Sequence, residues 1–581
     1  MDKKAAFSAL LGIDLGWVHT RVSLFGIKKN RFNLVNYQKT QTTLDPTFDF
    51  GLGVVEALRR LEKQANYALL DGSEKIIKTK QASGKGVQQV ALTTSVGPWP
   101  STILVGLTEH GSLQAGCRLT DSLPLNLIQT LGMDALVDQP GVIKTLVQKH
   151  PEIFILTGGE NGGAIGLMQA WVDVLRIYCR LIPPSIKPTI LFAGNPALEE
   201  SLKRHLEPLT RLKITANLLP SVGEIDLLPA QTVLDQEIFR IWKKKSSSLA
   251  GISFSAKDLQ GTRSFYLGRA VRWLARSQSN SDLKGVLALD LGAGTMAISA
   301  ASGDEMGTVL MPQFDQNREI FNEETIHFVH QWCRIECDKD QVVDFLSRRS
   351  ILPELIPETK LELALFQALV CLRLRQGIQK FVQNYPWLMF DSRKGLSNDF
   401  GKVFISGDEL TLAPTAGQLM MMLLDGLKPR GITTFVIDQH QLLPLLGIIG
   451  GMEPTLPVHV LESNAFVNLG TVLCPLSESR QGKTILGFEI DGRNGMKHSG
   501  DIQQGMLTHV GLPMDEVARL TLYPKKGTDL DLGAPGMGGT FDITGGRLGL
   551  VIDARGRPVK LSKDAQVRRN QLQGWLEELG G

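Results

Sequence analysis

Cysteine is scarce in this chain, and so are long apolar runs and any excess of charge of one sign. The six cysteines among 581 residues, Cys117, Cys179, Cys333, Cys337, Cys371 and Cys474, are too few and too scattered for a disulfide framework, and they read as reduced thiols. With 62 Lys and Arg against 59 Asp and Glu, the net charge is +3, which gives no footprint for nucleic acid or a membrane surface. Apolar runs such as Leu442 to Ile449 fall well short of the ~18 residues a spanning helix requires, so no membrane insertion is expected. Met1 to Ala6 lead at once into an apolar strand pattern, leaving no room for a cleavable signal and predicting a cytoplasmic protein.

A length of 581 residues exceeds what one core supports and predicts several domains. Hydrophobic content of 43% and charged content of 21% are those of an ordinary globular chain, and 59 glycines imply many turns.

One pattern occurs twice. Leu11-Gly12-Ile13-Asp14-Leu15-Gly16 and Val286 to Thr295 each spell a buried strand, an aspartate and a glycine turn. Each continues into a second apolar run, Arg21 to Gly26 and Met296 to Ala300, so each predicts a β-hairpin. Gly16, Gly292 and Gly294 permit positive φ and let backbone N–H groups close on phosphate oxygens. Asp14 and Asp290, just before the turns, supply hard oxygen ligands for Mg²⁺. A single Asp-Leu-Gly is a common turn after any buried strand; two copies, each opening an alternating apolar pattern, predict a duplicated ATPase of the actin-like type clamping one ATP·Mg²⁺.

A third signal follows about 110 residues beyond the second hairpin. Lys402 to Ile405 read as a strand ending in the small-residue turn Ser406-Gly407-Asp408, before a helix through Leu424. Such a turn lets adenine and ribose lie against backbone. Between the hairpins, the strand Ile153 to Leu156 feeds a glycine turn and a helix to about Leu181, and the strand Pro188 to Phe192 repeats that logic before a helix from Pro196 to His205, as in a doubly wound sheet. Helices are expected over Val54–Ala65, Thr325–Arg348 and Lys360–Asn384. The expected domains are a first lobe over 1–280, a second over 281–454 and a β-rich C-terminal domain over 455–581, closed by a helix from Lys563 to Leu579.

Other features read as structural. His327, His330, Cys333 and Cys337 recur at helical spacing, but a single helix cannot wrap four ligands around zinc, so they predict an amphipathic helix face. Arg547, Arg555 and Arg557 read as exposed turn arginines, with recognition of an acidic partner as the alternative. Gln481-Gly482-Lys483-Thr484 mimics a P-loop tail, but Ser477 stands where its leading glycine belongs.

Beyond the duplicated hairpins, the chain resembles the MutL proteins of the glutamate mutase system, which are actin-like and unrelated to the mismatch-repair protein of that name. The resemblance is carried by Leu156 to Gly163, Pro353 to Ala364, Leu424 to Ile432 and Gly546 to Pro558. It implies an α/β fold of two duplicated actin-like (RNase H-like) lobes. It also implies an accessory role beside an adenosylcobalamin-dependent mutase subunit, that of a reactivating chaperone. The nucleotide would be bound by Gly12, Gly16, Trp17, His19 and Thr20 of the first hairpin, Gly292, Ala293, Gly294 and Thr295 of the second, and Ser406, Gly407 and Asp408, with Asp14 and Asp290 as catalytic and metal-holding carboxylates.

The chain departs from that family's pattern at three places. Trp17 follows Gly16 where a serine or threonine is usual, Met296 and Ala297 follow Thr295 where a second threonine and an aspartate are usual, and Asp408 replaces a second glycine. Three readings stay open: an ATPase-driven chaperone, a pseudo-ATPase scaffold, and a small-molecule kinase, the last needing a carboxylate base that no motif identifies.

Overall fold

The structure, a computed structural model, describes residues 9–28, 31–43, 51–79, 84–163, 165–246, 258–277, 285–303, 305–313, 322–386, 390–391, 395–396, 400–493 and 495–581. The chain divides into two compact units, one made of residues 1–26 and 35–266 and the other of 27–34 and 267–581.

The strands belonging wholly or mostly to the first unit are β1 (Ala9–Leu15), β2 (His19–Lys28), β3 (Arg31–Gln41), β4 (Gln89–Thr94), β5 (Ser101–Val105), β6 (Asn126–Leu131), β7 (Ile153–Leu156), β8 (Thr189–Phe192), β9 (Arg211–Ile214) and β10 (Leu259–Thr262). Five form a sheet in the order β10-β4-β1-β2-β3. All seven residues of β1 are buried, as a strand covered on both faces requires. It runs antiparallel to β2 and parallel to β4, and β4 runs parallel to β10. Inserted between β4 and β10 is a second sheet, wholly parallel, in the order β6-β5-β7-β8-β9. That is the doubly wound order in which the first strand lies between the second and third. Helices Gln114–Asp121, Gln139–Lys149, Gly166–Leu181 and Glu199–His205 make its crossovers.

The second unit contains β11 (Gly285–Leu291), β12 (Thr295–Ser302), β13 (Glu305–Pro312), the two-residue pair β14 (Phe390–Asp391) and β15 (Gly395–Leu396), β16 (Phe400–Ser406), β17 (Gly431–Asp438), β18 (Phe466–Cys474), β19 (Thr484–Gly492), β20 (Lys497–Gln503), β21 (Leu507–Val510), β22 (Val517–Pro524), β23 (Gly539–Thr544) and β24 (Leu550–Asp553). Its main sheet runs β13-β12-β11-β16-β17-β18-β24-β21. The first five strands repeat the topology of the first unit: a hairpin-forming first strand sits inside, flanked by its antiparallel partner on one side and two parallel strands on the other. The duplication expected from two short motifs is therefore a duplication of strand order, and it makes the fold that of the actin-like ATPases.

The C-terminal segment, expected as a domain of its own, lends β18, β21 and β24 to this same sheet, and only β20-β19-β22-β23 stand as a separate four-stranded sheet. Hydrogen bonding carries the main sheet straight through residue 454, so the change in sequence texture there marks no break in the backbone ladder.

Helix Lys360–Asn384 falls where the pattern placed it, opened by a capping box between Thr359 and Glu362. It packs on the second hairpin, with Gly377 against Met296 and Ile298. The helix expected over Thr325–Arg348 is two, Glu323–Trp332 and Lys339–Ile351, because Asp338 caps a new start with Gln341. Cys333 thus lies at a helix end and Cys337 in a loop, so the His/Cys set does not share one helix face. The last helix spans Ala565–Glu578. No helix among the described residues is long and apolar enough to cross a membrane.

Candidate nucleotide site

Both hairpins form as expected. In the first, the Gly16 amide donates to the His19 carbonyl at 3.0 Å, closing the turn between β1 and β2; in the second, the Gly292 amide donates to the Thr295 carbonyl at 3.0 Å. Neither turn uses left-handed backbone: among the described glycines with positive φ, Gly16, Gly292 and Gly294 do not occur. The positive φ expected there is therefore corrected.

The space differs between the two turns. A Cβ at Gly16 would lie 2.9 Å from the His19 carbonyl oxygen and 3.1 Å from Arg21 Nη1, so the first turn is filled by its own chain. At Gly292 the nearest such atom is the Thr295 carbonyl oxygen, at an ordinary 3.5 Å. Among the described residues nothing forbids a side chain at 292, and residues 292–295 are half-buried, leaving room for a ligand against the backbone.

The two aspartates also diverge. Asp14 is fully buried. Strand register sets Arg21 opposite it on β2 and Thr93 opposite it on β4. Its carboxylate accepts from Thr93 Oγ1 at 2.9 Å, from Arg21 Nη1 at 3.3 Å and from Arg263 Nη1. Two guanidinium groups thus hold the carboxylate expected to carry a metal ion. A divalent cation does not fit beside them without displacing one, because three positive centres would crowd a single anion. Asp290, 5% exposed, has Ala297 opposite it on β12 and Ser406 opposite it on β16.

The remaining first-hairpin residues are engaged by the protein. Gly12 lies inside β1, paired with Ser23 and Ala91. The Thr20 hydroxyl is buried against that of Thr42 at 3.0 Å, and Thr42 Oγ1 also donates to the Gly16 carbonyl at 2.8 Å. Trp17 packs its ring partly onto the core of the first unit. The His19 carbonyl serves the turn as described.

In the second unit, Gly294 accepts from the Gln313 amide at 2.9 Å, and Ala293 and Thr295 complete the half-buried turn. Ser406, fully buried, ends β16 with its hydroxyl 3.4 Å from Asp438 Oδ2. Gly407 has φ 91, the left-handed region where glycine is favoured. The atoms a Cβ there would strike are backbone atoms of Leu291, so the protein's own strand, and not an expected adenosine, requires this glycine. Asp408 begins the short helix Asp408–Thr411 and accepts from Gln441 Nε2 at 2.8 Å. Asp438 accepts the amides of Leu442 and Leu443, each at 2.8 Å, and fixes the start of helix Leu443–Ile449.

Sequence reasoning missed several residues. Arg21 was within reach, since a four-residue tip places position 21 opposite 14; Arg263, 249 positions away, carried no local signal. The largest correction concerns the arginines near 555. Arg547 is exposed as expected, but Arg555 is buried and grips Asp553 through Nε–Oδ1 and Nη2–Oδ2 bonds of 2.9 Å each, and it reaches Asp425 at 2.9 Å. Arg557 Nη2 joins Asp553 at 2.9 Å. Despite its burial, which alone would raise it, Asp553 is held well below the usual carboxylate range by these two arginines. Asp425 is raised, because burial outweighs Arg555 and Arg375. Two of the blocks that carried the family resemblance, Leu424 to Ile432 and Gly546 to Pro558, thus meet in one buried ionic cluster.

None of the curated proteins matches the chain. Among solved structures, it is similar to a nucleotide-free acetone carboxylase (10% identity, 86% of this chain and 81% of that one, TM-score 0.31) and a gluconate kinase from Lactobacillus acidophilus (13%, 78% and 90%, TM-score 0.29). It is also similar to a chain of a PilM–PilN type IV pilus biogenesis complex (11%, 78% and 99%, TM-score 0.24). A family model described as "MutL protein" matches residues 10–465, most of the chain. The chain belongs to the MutL family, that of the glutamate mutase system and not of mismatch repair.

Proposed function

We propose that this chain is an ATP-binding accessory factor that acts on an adenosylcobalamin-dependent carbon-skeleton mutase, reactivating it by cycling between nucleotide-bound and nucleotide-free states of different partner affinity. Family membership supports the mutase as partner. The observation that carries nucleotide binding is the turn Gly292-Ala293-Gly294, half-buried, where among the described residues no atom requires glycine at 292. Asp290, at the end of β11 just before this turn, is the carboxylate placed for the waters of a magnesium ion arriving with the triphosphate.

Calorimetric titration of ATP with and without Mg²⁺ tests this reading. Mg²⁺-dependent binding that weakens at least tenfold in Asp290→Asn supports it; equal binding by parent and variant overturns it. Pull-down from the source cell with and without ATP tests the partner, and a cobalamin mutase subunit captured in one state only is the expected outcome.

A second reading has its own observation. With Asp14 held by Arg21 and Arg263, the protein would bind nucleotide without hydrolysing it and serve as a scaffold. Magnesium-dependent ATP hydrolysis by the parent chain excludes the scaffold.

A further inference from the structure

In the second unit, helices Lys360–Asn384, Ala416–Leu427 and Ala565–Glu578 and the loop after Trp332 enclose a cavity of about 40 Å³, lined among others by Arg334, Gln367, Cys371, Gln418 and Asp425. No part of the nucleotide site lies in it.

The lining carries one guanidinium, Arg334, and one carboxylate, Asp425. Arg334, Arg375 and Arg555 all act on the Cys371 thiol that lines the cavity, against a single carboxylate, that of Asp425. Asp425 is already committed to Arg555 at 2.9 Å, and Arg555 in turn to Asp553. Arg375 stacks on Phe328 and Trp332, 4.7 and 4.4 Å from the ring centres, and its Nε donates to the Asp425 backbone carbonyl at 2.9 Å. Arg334 donates to the neutral Gln367 Oε1, and among the described residues no carboxylate pairs with it. Arg334 is half-buried, and a guanidinium partly withdrawn from water without a carboxylate of its own favours an anion beside it.

The amides supply the remaining contacts. Gln367 Nε2, a donor, is buried without a partner, and so is Gln418 Oε1. A half turn of the Gln418 amide presents its Nε2 to the cavity in place of the oxygen.

We propose that this cavity binds a small planar monoanion, of the carboxylate, bicarbonate or nitrate type, between the Arg334 guanidinium and the amides of Gln367 and Gln418. A planar fork and planar amides match a planar anion in two-point contact. The volume has room for roughly three water-sized groups, which suits three or four heavy atoms. A tetrahedral dianion is disfavoured by that size and by the Asp425 carboxylate in the wall.

¹³C-formate line broadening by the full chain, with nitrate and sulfate as competitors, tests the site. Broadening that nitrate reverses and sulfate leaves in place is expected. Arg334→Gln, shown folded by circular dichroism, should weaken the apparent affinity at least tenfold, whereas Arg348→Gln on the exposed face of helix Lys339–Ile351 should not change it. Should Arg334→Gln not fold, Arg334→Lys is measured instead and the same loss is expected, since an ammonium lacks the fork. Broadening equal in parent and Arg334 variants, its absence in the parent, or displacement by sulfate as readily as by nitrate overturns the proposal.

Discussion

Gly407 lies against the backbone of Leu291 so closely that a Cβ on it would fall far inside van der Waals contact with the Leu291 peptide. The end of β16 and the end of β11 thus meet without a side chain between them, which sets Ser406 beside Asp290 in register. Gly407→Ala should therefore lower stability by more than the roughly 1–2 kcal/mol of a left-handed residue alone, because backbone must also move.

Gly292→Ala should behave in the opposite way. Its Cβ has 3.5 Å of clearance, so denaturant unfolding should be within about 0.5 kcal/mol of the parent, as at other sites without strain. ATP affinity, measured by calorimetry, should fall, since the new methyl occupies the open backbone. Unfolding for one variant and affinity for the other separate a glycine needed by the fold from one needed by a ligand.

Asp14→Asn removes the carboxylate shared by Arg21 and Arg263, which are buried at 3% and 6% exposure. Loss of one partner of a buried ionic cluster costs about 3–5 kcal/mol, and thermal unfolding should show it. A loss of that size means that falling ATPase activity in this variant must be read together with its folded fraction.

Arg555→Met should be comparably destabilising at pH 7, and its pH response should invert. In the parent, Asp553 has a folded pKa below its unfolded value, so its contribution is complete above about pH 4 and is lost as pH falls further. Without Arg555, Asp425 and Asp553 are buried carboxylates lacking their main counter-charge, and protonation relieves them. As pH falls from 7, the variant should gain more stability than the parent, in which Arg555 still opposes the rise of Asp425.

Lys428 sits half-buried beside Arg375 and Arg557, and burial first, then those two cations, pushes its ammonium down to about 8. Its folded pKa lies below the unfolded ~10.4, so it disfavours the fold while charged and that penalty fades as pH rises from about 8. About half of this amine is neutral at pH 8. Competitive acetylation at that pH, read by mass spectrometry, should label Lys428 ahead of exposed lysines such as Lys63.

What could be read from the sequence was what is local. A strand, an aspartate and a glycine turn repeat at Asp14 and Asp290, and because hairpin register follows from turn length and alternation, both hairpins were legible, as was helix Lys360–Asn384 from its cap and period. The repeated strand order followed from these pieces, since few topologies accommodate them.

Tertiary structure decided what those repeated motifs became. Arg263 reaches Asp14 from 249 positions away, and Arg555 and Asp425 meet across 130; charge pairing at such separation is set by packing, to which local pattern is blind. The same reason explains why the texture change near residue 454 misled: backbone hydrogen bonds carry no residue identity, so β18, β24 and β21 could join the main sheet while their sequences read as a separate domain. The sequence by itself determined two similar hairpins, and the folded chain made them unlike, closing one on its own arginines and leaving the other turn open, because burial makes each carboxylate take the charge that packing brings to it.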